Sequence, residues 1–146
     1  MLLILVAINT IIFLTLSGIH FYWMSGGKRG SVSALPSNPS TQELLFKPSI
    51  MATLIVAGGL LLFAIITLGN LISFPFNIDQ RYFHWGNLAI SVIFFIRAIG
   101  DFKYIGFFKN IKETLFAKMD SKFYSPLCLT ISAIGLAIFF LTFSDS

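Results

Sequence analysis

Charge is scarce in this chain. Asp, Glu, Lys and Arg together make up 11% of its 146 residues, whereas an average globular domain carries roughly 25%. Cysteine is almost absent: Cys128 stands alone, so no intrachain disulfide can form and a thiol relay would need a partner. Two histidines, with no carboxylate pair inside any apolar run, leave no hydrolase triad to read. A Gly-rich basic stretch, Gly26-Gly27-Lys28-Arg29-Gly30-Ser31, fails the phosphate-loop spacing and lacks the strand and helix that would flank such a loop. It reads as a flexible basic turn against anionic lipid.

What fills the space is apolar. Hydrophobic residues reach 56% and aromatics 16%, with 17 Phe, and the mean hydropathy is +0.86. A water-soluble domain of this size buries only about 70% of its surface. The remainder would be too apolar for water, which argues against a soluble enzyme or a nucleic-acid binder.

Four apolar runs stand out, at residues 2–23, 50–74, 83–100 and 126–143. About 20 residues of helix cross a bilayer core, with roughly 17 to 25 tolerated. The runs are continuous, without the alternation of barrel strands. They predict an all-α, single-domain bundle of four transmembrane helices. The N-terminus has no positive leader region or small-residue cleavage site and is read as a retained span. Ser40 and Glu43 have capping-box spacing and predict a short helix in the first linker. Pro48 suits the first turn of the second span, and Ser125-Pro126 reads as an N-cap and first-turn proline opening the fourth. Residues 102–118 set Ile105, Phe108, Ile111 and Leu115 on one helical face, predicting a basic amphipathic helix in the membrane interface.

The charges are sorted. Eight of ten cations fall on the first and third linkers: Lys28, Arg29, Lys47, Lys103, Lys109, Lys112, Lys118 and Lys122. Arg81 is alone on the opposite face, and positive-inside bias therefore puts both basic linkers in the cytoplasm and both termini outside. Tyr22 and Trp23 would mark the inner interface, Tyr82 and Trp85 the outer one.

The remaining cation, Arg97, lies inside a span, where a charge costs roughly 2.5–3.5 kcal/mol on insertion scales. Asp101 stands one helical turn later as its expected partner. The pair is open to two readings, a structural anchor for the third span or a site for a ligand or partner. His20, Tyr124 and Cys128 should reach the same inner boundary. A metal site from His20, Asp101 and Cys128 has no ligand spacing to recommend it, and no cofactor is expected. Asn9, Thr10 and Asn70 can supply interhelical hydrogen bonds, and Gly58-Gly59 or Ala133 and Ala137 close helix contacts.

The motifs His20-Phe21-Tyr22-Trp23, Gly26-Gly27, Arg97-Ala98-Ile99-Gly100-Asp101, Gly106-Phe107, Lys109, Phe116-Ala117, Asp120 and Tyr124-Ser125-Pro126-Leu127-Cys128-Leu129 resemble the small bacterial integral membrane proteins grouped as domain of unknown function 3995. The resemblance implies a four-helix membrane protein and brings no catalytic assignment. Its motif residues overlap the inner-face cluster, so His20, Tyr22, Trp23, Arg97, Asp101, Lys109, Asp120, Tyr124 and Cys128 are the candidate binding residues. Three functions fit. The first is a binding or accessory protein that holds a membrane-protein partner, a second copy or a lipid. The second is an enzyme acting on a lipid, isoprenoid or quinone head group. The third is a small homodimeric transporter, disfavoured by the lack of ionisable residues near the midplane.

Overall fold

The computed structural model describes residues 1–72 and 78–144, of Ser144 the backbone alone. Among the described residues, four helices are long and apolar enough to cross a membrane. Helix α1 is Leu2–Met24, α2 is Ile50–Leu68 and α3 is Gln80–Ile99. The fourth span is a composite rod: α4, Leu115–Met119, runs through a π-helical turn, Asp120–Tyr124, into α5, Ser125–Ser144. No strand forms among the described residues; one antiparallel bridge pairs Ser37 with Leu44.

The helix ends follow from local chemistry. Helix α1 stops in a Schellman motif, with Gly26 at φ +93° and the Gly27 and Gly26 N–H groups donating to the carbonyls of Tyr22 and Trp23. Ser49, not Pro48, opens α2, its Oγ accepting from the Ala52 N–H at 3.1 Å. Helix α2 ends at Leu68, short of the predicted residue 74. Asn70 caps it by donating Nδ2 to the carbonyls of Ile66 and Thr67 and to Phe83 of α3, while Gln80 bonds the Gly69 carbonyl. The Asp79 carboxylate caps α3 three residues earlier than hydropathy alone suggests. The predicted second linker around Pro75 lies outside the described residues.

Helix α1 packs chiefly on α2, and α3 on α5, with lighter α1–α5 and α2–α3 contacts. The core joins Phe13, Leu60, Ala64, Ile90 and Ile131, one or two from each span. The rings of Phe13, Phe63 and Phe94 meet edge-on or tilted, with centroids 5.5–6.2 Å apart, and tie α1, α2 and α3 together. Polar groups add specific ties. Ser17 donates to the Ala57 carbonyl at 2.8 Å and Asn87 to Gly135 at 2.7 Å. Such bonds contribute about 0.6 kcal/mol on average inside membranes. Close approach comes at Gly135, where a Cβ would run into Ser91 Oγ. A Cβ on Gly58 or Gly59 would meet no other part of the chain, and Ala133 is exposed.

Two predicted helices do not form. Residues 40–44 make a turn and the Ser37–Leu44 bridge instead, and the helical turn of the first linker is a 3-10 piece at Val32–Ala34. Residues 102–114 are bends and turns, so there is no amphipathic interfacial helix. Two features break it: positive φ at Gly100, Phe102 and Gly106, and diversion of three backbone N–H groups to Asp101.

Candidate functional site

Both basic linkers gather at one end of the bundle, where the 3-10 turn packs on α4 and Ser33 Oγ lies 3.5 Å from the Tyr124 hydroxyl. The centre of this end is Asp120, fully buried on the π-turn. Pro126 accounts for that turn. It has no N–H to offer the carbonyl one α-turn back, and its ring would crowd that carbonyl. The backbone widens, so the Ser125 N–H reaches the Asp120 carbonyl five residues away. A residue inserted this way turns the preceding segment by about 100° relative to a continuous α-helix.

The Asp120 carboxylate takes four donors. Arg97 Nη2 donates to Oδ1 at 2.9 Å. Lys109 Nζ at 2.9 Å, the Gly106 N–H at 2.8 Å and Ser125 Oγ at 3.1 Å all donate to Oδ2. Three of the four donors converge on Oδ2 and one reaches Oδ1, so both oxygens are bonded within the protein. Lys109 is buried as well, and its ammonium also donates to the Gly106 carbonyl at 2.8 Å and Ser121 Oγ at 2.7 Å. Two cations face one carboxylate. Arg97 carries the surplus: its side chain is 32% exposed, yet Nη1 is buried without a hydrogen-bond partner.

The expected Arg97–Asp101 pair does not form. Arg97 reaches a carboxylate 23 positions on, and Asp101 Oδ1 accepts from the N–H groups of Lys103, Tyr104 and Ile105 at 2.7–2.9 Å. Slight burial opposes ionisation of Asp101, but the Ile105, Tyr104 and Lys103 donors outweigh it and hold the carboxyl below its ordinary range. The loop closes where Gly100 and Gly106 meet. A Cβ on Gly100 would overlap the Ile105 carbonyl, and one on Gly106 the Ile99 carbonyl. Lys109, expected on an outward polar face, is drawn inward by this closure.

The other sequence candidates surround the hub with separate tasks. His20 Nδ1 bonds the Leu16 carbonyl of its own helix at 2.8 Å, and its ring meets Trp23 edge-on. Trp23 Nε1 donates to the Arg29 carbonyl, and Tyr22 lies flat under Gly27, so both aromatics shape the basic turn. Tyr124 packs on Phe116. Cys128 is buried two turns beyond Asp120 and within electrostatic reach of the pair. His20, Asp101 and Cys128 are not brought together, and among the described residues no group of three His, Cys, Asp or Glu could hold a metal ion. Ser121 escaped the sequence reading, and Gly106 and Ser125, named there only as motif residues and Ser125 as an N-cap, turn out to donate to Asp120. The available signal was an acid five residues before a Ser-Pro inside an otherwise helical run.

Around the hub, Lys28, Arg29, Lys47, Lys103, Lys112, Lys118 and Lys122 are exposed. With Arg97 and Lys109 this end carries nine cations against the carboxylates of Glu43, Asp101, Glu113 and Asp120. Four apolar helices with a basic, hydrogen-bonded end define a multi-pass α-helical membrane protein. The chain belongs to the family of proteins of unknown function DUF3995, whose model matches residues 13–135. No curated protein and no solved structure matches it.

Proposed function

We infer that this is a binding protein of the bacterial cytoplasmic membrane, an accessory or small subunit whose basic end faces the cytoplasm and holds an anionic lipid head group at Arg97. One observation carries the reading: Asp120 takes four donors but engages only Nη2 of Arg97, whose side chain stays 32% exposed, while Nη1, buried beside the hub, has no partner until a head group displaces what covers it. A guanidinium left with free donors at a membrane boundary suits a phosphate or carboxylate oxygen bidentately. The exposed lysines around it would attract anionic lipid. The eight-to-one bias of linker cations supports the orientation.

Catalysis on a lipid, isoprenoid or quinone head group has less support. Its acid–base candidates are engaged: His20 with Leu16, Asp101 with backbone, Asp120 with two cations.

Native mass spectrometry of the protein released from its own membranes tests the proposal. A retained anionic lipid, lost on Arg97→Met, is expected. Equal lipid occupancy in both forms would remove Arg97 from the site. Thiol labelling of single cysteines placed at Lys28 and Lys118, in a Cys128→Ser background, tests orientation. Both should react only after the cytoplasmic face is opened.

A further inference from the structure

A second polar region lies inside the bundle, far from the basic end. Asn9 and Asn87 each stand seven residues into their helices, counted from the same outer end. Asn9 donates Nδ2 to the Ile131 carbonyl and Asn87 to the Gly135 carbonyl, positions one turn apart on α5. Thr10 adjoins Asn9 in sequence. Thr67 belongs to the same layer: α1 and α2 are pinned one turn further in by the Phe13–Phe63 rings, and α2 meets α3 where Ile66 packs on Gly86.

All four side chains are at most 9% exposed. Each keeps an unpartnered polar atom: Oδ1 of Asn9, Oγ1 of Thr10, Oγ1 of Thr67 and Oδ1 of Asn87. Nearly every buried polar group in a native protein has a partner, supplied by protein or ordered water. Lipid offers none. The nearby backbone cannot help either, because helical N–H groups are consumed within their helices. The amide oxygens need donors, and the threonine hydroxyls need a group that donates or accepts. Water meets both needs, giving two hydrogens and accepting in return, and buried waters make about three such bonds. A metal cation fits poorly, since the donor set is neutral and no carboxylate is among its members.

We propose that the outer half of the bundle binds internal water between Asn9, Thr10, Thr67 and Asn87. Asn70, one turn beyond Thr67, also has a buried, unpartnered Oδ1, and extends the wet layer toward the outer end of α2. The membrane core is therefore hydrated in one place by uncharged side chains, and these polar residues do more than join helices.

Water-edited solid-state NMR on the full chain in bilayers, uniformly labelled with nitrogen-15, decides the matter. Magnetisation from water should reach the Asn9 and Asn87 side-chain amides at the rate of surface amides. Their neighbours Phe13 and Ile131 should stay dark. Thr67→Val, nearly isosteric, should reduce the transfer at Asn87 by at least about twofold while leaving the exposed Asn110 unchanged. Asn9 and Asn87 amides as dry as Phe13 in the unaltered protein would overturn the proposal. So would transfer arising from a lipid or detergent hydroxyl in place of water.

Discussion

Arg97 Nη2 meets Asp120 Oδ1 at 2.9 Å, joining the C-terminal end of α3 to the π-turn that precedes α5. Lys109 completes the pair from the loop between them, so one carboxylate fixes three segments of chain.

Removing one member of a buried ion pair typically costs about 3–5 kcal/mol, because the partner is left charged and unpaired. Lys109→Met should fall in that range, since Lys109 is buried and all three of its donors are used. Arg97→Met should cost less, because Arg97 is partly exposed. Asp120→Asn should be at least as harmful as Lys109→Met. The triple change Asp120→Leu, Arg97→Met and Lys109→Met should recover much of the loss. Reversible unfolding in a fixed detergent measures the order; a more damaging Arg97→Met than Lys109→Met would contradict this description of the hub.

The glycine pair that closes the loop makes a sharper contrast. Gly100 and Gly106 have φ near +90° and their Cα atoms are in contact. Alanine at either should open the loop and expose Lys109. Gly58→Ala, on an open helix face, should be neutral or stabilising by up to about 1 kcal/mol through helix propensity. Protection of the Gly106 N–H from hydrogen exchange reports the difference.

Acid should loosen the same loop. The folded Asp101 carboxyl titrates below its unfolded value of about 3.9. Its contribution is therefore complete above that value and is lost as pH falls through the lower, folded one. The Lys103, Tyr104 and Ile105 amide resonances should shift together as pH drops below about 4, and Asp101→Asn should abolish that shift. A transition centred near neutral pH would rule out Asp101 as its source.

Away from the hub, α3 and α5 touch where Ser91 Oγ faces Gly135. Gly135→Ala should destabilise by about 1–3 kcal/mol through overpacking. Adding Ser91→Ala should return part of that loss, a non-additive result that a double-mutant cycle measures directly.

The four spans were legible in the sequence because lipid imposes length and continuity on any crossing helix. Their ends were less so. Asn70 and Asp79 set boundaries by capping, which hydropathy does not register. Arg97 and Asp101 stood one turn apart and looked like partners. However, Gly100 leaves the helix between them, and Asp101 turns to its own backbone. Asp120 is distant in sequence from Arg97, and only the family resemblance pointed to it. The apolar spacing of residues 102–118 does match a helix. That pattern yields to the hub because two glycines and a buried lysine fold the segment back. Asn9, Thr10 and Asn70 were read as interhelical ties, whereas Thr67 and Asn87 give no signal until their helices are packed.

Equilibrium binding of an anionic phospholipid to the purified protein in neutral nanodiscs tests the central claim, that Arg97 has donors to spare for a head group. A charge-assisted hydrogen bond contributes about 1.5–3 kcal/mol, or roughly a tenfold to hundredfold change in affinity. Arg97→Met should lose at least about tenfold by that measure, as should Arg97→Lys, because one ammonium cannot serve both Asp120 and the lipid in the fork geometry of arginine. Lys118→Met, an exposed charge, should change affinity by about twofold or less. Equal losses at Arg97 and Lys118 would show a diffuse basic surface with no site, and would contradict the account.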